Sequence, residues 1–152
     1  MFDVPLHIGQ KATFSKTISE SDVYLFAGIT GDLARNHVDK EYMQKSSYGE
    51  RLVHGALLVG FMSTASSLII RDAVESGIEE TPVSVGYDRI RFLKPVFFGD
   101  TITVHYEITD IEAERQRSVA KIDVTNQYGD LVCVAQHILK WVTNKQSISD
   151  AL

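Results

Sequence analysis

The chain reads as an α+β fold, one curved, mostly antiparallel sheet wrapped around one long apolar helix. Residues 56–72 predict the helix. They are apolar nearly all round (Leu57, Leu58, Val59, Phe61, Met62, Ala65, Leu68, Ile69, Ile70), and a helix apolar on every side is normally buried. After Gly77 the texture changes to alternating strands with no helix between them. That pattern favours antiparallel pairing and leaves one sheet face free to hold the helix.

Each element can be justified in order. The alternation over residues 10–18 predicts a short strand. Ser19 and Ser21 offer caps for a helix over 20–29, where Val23, Tyr24, Phe26 and Ala27 share a face, and Thr30-Gly31-Asp32 stops it. A loop or broken segment carries Asn36, His37 and Asp39, and residues 48–51 read as a turn. Past the long helix, Val83, Val85 and Tyr87 alternate with polar neighbours, and Ile90 and Phe92 continue the strand until Lys94-Pro95. Phe98-Gly99-Asp100 turns the chain into a strand carrying Ile102, Val104, Tyr106 and Ile108. Residues 119–125 and 131–142 form the last two strands, joined by a turn at Tyr128-Gly129-Asp130. One domain over 1–143 follows, with 144–152 as a loose polar tail.

Composition bounds the function. With 152 residues, 44 % apolar and 23 % charged, the chain can enclose one ordinary core. A net charge of −5 argues against a nucleic-acid footprint but leaves room for a local basic patch. Cys133 is the only cysteine and lies in the apolar run 131–135, so it is expected to pack there, unpaired. Asp3, Pro5 and His7 interrupt any cationic, apolar leader. The stretch 56–70 contains four hydroxyl residues and is too short to span a bilayer. The expected location is the cytoplasm, or an organelle matrix if a presequence is missing, with no membrane partner.

Three features carry chemistry: Gly31-Asp32, His37 and His54-Gly55. Asp32 and His37 lie five residues apart across a turn expected to be non-helical, which lets a carboxylate and an imidazole converge. Such a pair moves protons well at neutral pH. Gly55 opens the apolar helix, whose first amides lack intrahelical partners and sit at the positive end of its dipole. A carbonyl gaining negative charge would be stabilised there. Each residue also has a plainer reading: Asp32 as a turn residue, His37 as a surface or structural histidine, His54 as a helix cap or core hydrogen-bond donor. His7, His105 and His137 look structural. No metal-ligand spacing, phosphate loop or nucleophile elbow is present.

The runs Phe26-Ala27-Gly28-Ile29-Thr30-Gly31-Asp32, His37-Val38-Asp39, Val53-His54-Gly55-Ala56-Leu57 and Phe92-Leu93-Lys94-Pro95-Val96-Phe97-Phe98-Gly99-Asp100-Thr101 together resemble the MaoC-like, (R)-specific enoyl-CoA hydratase family. The resemblance covers nearly the whole chain in order and spacing. It implies a hot-dog fold and reversible syn hydration of a 2-enoyl thioester, carried by coenzyme A or acyl carrier protein, to the (R)-3-hydroxyacyl thioester. By the same similarity Asp32 is the base that activates a shared water, and His37 orients it and helps deliver the proton. The Gly55 amide would bind the thioester oxygen, and Ser63 would lie near the pair in support. No cofactor or metal is implied, and a homodimer or higher even oligomer is. The chain departs from the family's Gly-Asp-x-Asn-Pro-x-His at Ala34 and Arg35, and Asn36 is the candidate to replace the missing amide. Arg89, Arg91 and Lys94 are the best candidates for a coenzyme A phosphate rim, with Arg35 and Arg51 flanking the catalytic segment. The rival readings are a hot-dog thioesterase and a non-catalytic acyl-thioester-binding subunit.

Overall fold

The computed structural model describes residues 3–143; the expected tail at 144–152 lies outside them. The strands are β1 (Lys11–Thr17), β2 (Glu80–Phe92), β3 (Thr101–Glu112), β4 (Arg117–Thr125) and β5 (Leu131–Thr143). They form one antiparallel sheet in the order β1-β3-β4-β5-β2. Between β1 and β2 come the helices α1 (Glu20–Thr30), α2 (Arg35–Val38), α3 (Lys40–Gln44) and α4 (Gly55–Glu75). A single 3₁₀ turn, Ala113–Arg115, bends β3 into β4.

Period-two patterning builds the inner face. Ile102, Val104, Tyr106 and Ile108 of β3 are buried beside Ala120, Ile122 and Val124 of β4 and Cys133, Ala135, Leu139 and Trp141 of β5. Cys133 packs as expected, and burial pushes its thiol up to about 11, which keeps it protonated and inert.

Strand β2 departs from the sequence expectation. Val83, Val85 and Tyr87 alternate in the sequence, yet the register shifts between Ser84 and Gly86. Past the bulge Tyr87 turns inward opposite His137, while Val83 (39 % exposed) and Val85 (48 %) face out. One extra residue moves the following side chains to the other face.

Helix α4 also differs in part. It buries Leu58, Met62, Ala65, Ser66 and Ile69 against the sheet, but Gly60, Ser63, Ser67 and Leu68 are exposed. It is therefore buried on one face within this chain, not all round. At 21 residues it is also longer than the apolar run that seemed too short to span a bilayer. Its length no longer argues against a span, but its docked face and hydroxyl-bearing back belong to a core helix of this fold.

Candidate active site

Helix α1 delivers Asp32. Ser19 caps its start by accepting the Asp22 N–H, and Asp22 returns the bond by accepting from the Ser19 N–H, a capping box. Gly31 ends it at φ 79, with its N–H donating to the Ala27 carbonyl at 2.8 Å; that left-handed geometry favours glycine. Asp32 follows directly. Its N–H donates to Thr30 Oγ1 at 3.2 Å, and its carboxylate accepts the Ala34 N–H at 3.3 Å.

His37 stands on α2, a single helical turn, where the sequence had suggested a non-helical stretch. Helices of four and five residues leave no periodicity to read, and short helices form only when tertiary contacts hold them. Leu52 supplies that hold. Its N–H donates to the Asn36 carbonyl at 2.9 Å and its carbonyl accepts from His37 Nδ1 at 2.7 Å. Leu52 is itself bridged to Phe97, and the Val53 N–H donates to the Val96 carbonyl at 2.8 Å. Because a carbonyl only accepts, Nδ1 carries the proton and Nε2 presents its lone pair.

The Asn36 amide lies 3.2 Å from His37 Nε2. An Asn side chain can donate its N–H to that lone pair or, flipped, accept from the protonated ring.

One oxygen of Asp32, one nitrogen of His37 and one of His54 all lie within 4.8 Å of one another. A water bonded at about 2.8 Å to two of them spans such a gap. His54 Nε2 also donates to the Asp32 carbonyl at 3.0 Å.

Beside the pair opens a cavity of about 450 Å³, lined by Asn36, His37, Gly55, Phe92, Leu93 and Pro95 among others. Its size is that of a small-molecule pocket. The Phe92 ring lies against Gly55, and a Cβ there would sit 2.8 Å from it, so a larger residue at this helix start would have to push that ring aside.

The remaining candidates separate. Ser63 lies two turns up α4, about 12 Å along its axis from Gly55, on the exposed face, and its hydroxyl bonds Tyr87. Of the proposed phosphate rim only Lys94 lines the cavity, and it pairs with Asp130 at 2.6 Å. Arg91 bonds the Ile90 carbonyl, and Arg89 sits at a strand irregularity with φ 54. The flanking arginines are engaged elsewhere. Arg35 pairs with Asp39 at 2.9 Å over the Tyr42 ring, and Arg51 pairs with Glu20 at 2.7 Å and donates to the Tyr24 hydroxyl. The Tyr42 N–H and Arg35 hold the Asp39 carboxyl below its usual range. His54 is not a side-chain cap, so that expectation fails; it is the core donor of the alternative reading. Sequence reasoning missed Phe26, whose ring packs on His54 at 4.8 Å, and the Leu52 carbonyl. A backbone acceptor has no residue signature, and Phe26 read only as helix-face apolar.

Known proteins resemble this chain in sequence and in fold. The family described as MaoC like domain matches residues 4–128. An (R)-specific enoyl-CoA hydratase of Rhodospirillum rubrum is 33 % identical over 108 residues, 71 % of this chain and 69 % of that protein. A 3-hydroxybutyryl-CoA dehydratase of Methylorubrum extorquens is 29 % identical over 141 residues, 93 % of this chain and 83 % of that protein. The solved (R)-hydratase from A. caviae, involved in PHA biosynthesis, superposes with a TM-score of 0.77 at 26 % identity, covering 90 % of this chain and 97 % of that one. The fold is the hot-dog fold, with α4 held by the five-stranded sheet.

Proposed function

The chain belongs to the MaoC-like domain family, and we propose that it is a hydro-lyase that adds water reversibly across the double bond of a 2-enoyl thioester to give the (R)-3-hydroxyacyl thioester. The observation that carries this reading is the convergence of Asp32 and His37 within reach of one water, beside a cavity that opens on the first amides of α4. A carboxylate and an imidazole lone pair accept the two hydrogens of that water and leave an oxygen lone pair for C3. As the C3–O bond forms, Asp32 takes one proton, and the pair returns a proton to C2 from the same face. The net change is addition of one water. Negative charge that develops on the thioester oxygen meets the Gly55 amide and the helix dipole.

Lys94 is the residue best placed to meet a phosphate of the thioester carrier, since it alone of the three rim candidates lines the cavity. Two copies of the chain, with sheets joined edge to edge, complete the proposal. Crotonyl-CoA tests it. Loss of enoyl absorbance without release of free thiol is the expected result. Thiol release would assign a thioesterase, and an inert protein would assign a binding subunit.

A further inference from the structure

We propose that His54 is a positioning residue that locks Asp32 and His37 into one geometry; the inference rests on the hydratase reading of that pair. His54 is 1 % exposed at the start of α4. Its Nε2–H donates to the Asp32 carbonyl at 3.0 Å and lies 3.8 Å from the Asp32 carboxylate. Its ring stacks under His37 at 3.7 Å with 23° between the planes, and Phe26 packs against it at 4.8 Å. One imidazole thus touches both members of the pair and ties them to the core.

Packing alone does not explain a histidine here. Nδ1 is buried and has no hydrogen-bond partner among the described residues, and a buried unpaired acceptor lowers stability. A phenylalanine would fill much the same space without that cost. Helix capping does not explain it either, because His54 makes no side-chain cap bond and Ser, Thr, Asp or Asn would serve better. What the imidazole has and the phenyl ring lacks is the Nε2–H on the Asp32 carbonyl. Asp32 itself is exposed, so this is the bond that fixes it from the protein interior. Unfavourable chemistry retained at one spot is the usual mark of a functional constraint.

The test compares His54→Phe with His54→Gln, whose amide can still donate to the Asp32 carbonyl. His54→Phe is expected to lower kcat for crotonyl-CoA about 10²-fold, the scale of a small misplacement of reacting groups, with KM little changed and Tm equal or higher. His54→Gln should stay within about 10-fold of wild type, since it keeps the N–H donor. Backbone ¹⁵N relaxation reads the same claim without turnover. The order parameters of residues 32–34 should fall towards about 0.6 in His54→Phe and stay near about 0.85 in wild type and His54→Gln. His54→Asn, too short to reach the carbonyl, repeats the comparison should the phenyl variant not fold. Wild-type kcat in His54→Phe overturns the proposal, as does equal loss in the Phe and Gln variants. A wild-type protein that hydrates nothing would count against the reaction instead, and the order parameters would still decide the role of His54.

Discussion

Asp32 and His37 are held in different ways, and the difference sets what each substitution should do. His37 is clamped by the Leu52 carbonyl at 2.7 Å in one tautomer, with its other nitrogen 3.2 Å from the Asn36 amide. Asp32 keeps an exposed carboxylate, 52 % accessible, anchored through its backbone. Asp32→Asn and His37→Gln should therefore each fold normally, and each should lower kcat by roughly 10²-fold, the usual scale for a positioned acid or base. Circular dichroism and steady-state rates on the two proteins check this, and near-wild-type hydration by either folded variant would remove it from the mechanism. The spacing of a carboxylate and an imidazole is by itself a weak signal, and the resemblance to MaoC-like hydratases is what singles out Asp32 and His37. The groups that aim them were not legible. Leu52 acts through its backbone, which leaves no mark in the sequence.

At the scale of elements, patterns longer than about two turns were readable and shorter ones were not. The strand alternation and α4 emerged from periodicity, whereas α2 and α3 exist through contacts with Leu52 and through Asp39, which caps α3. The bulge in β2 was invisible because the apolar Val83 and Val85 continue the alternation that the backbone interrupts. Beside that bulge a polar chain runs from the surface into the core. Ser84 Oγ meets His137 Nε2 at 2.8 Å, His137 Nδ1 meets the Tyr106 hydroxyl at 2.8 Å, Tyr106 bonds Ser66, and Tyr87 stacks on the His137 ring. Burial lowers His137 to about 4, well under its ordinary 6.5. Between those values the unfolded chain binds the proton and the folded one does not, so stability is full above about pH 6.5 and is lost as pH falls towards 4. Urea unfolding should show a loss of roughly 2 kcal/mol between pH 7 and pH 5 from this group. His137→Asn should flatten that dependence. An unchanged pH slope would mean that His137 does not carry it.

For the whole molecule, the uncovered surfaces point to a second copy. Edge strand β2 runs 13 residues with Val83 and Val85 exposed, and the outer face of α4 is bare. Long exposed edges invite pairing, so light scattering at micromolar concentration should find a two-fold dimer or a higher even assembly, and a stable monomer would contradict the edge-to-edge arrangement. A helix apolar on nearly every side was legible in the sequence; that only one of its faces would dock within the chain was not, because periodicity does not say which chain covers a face. The account stands on one chemical claim, that Asp32 and His37 share a single water and add it from one face. Hydration of crotonyl-CoA in D₂O tests it most directly, with the product read by NMR coupling and chiral analysis. The expected product is the (R)-3-hydroxy thioester carrying deuterium at C2 as the single diastereomer of syn addition. An anti or mixed product, the (S) alcohol, or free thiol in place of hydration would contradict it.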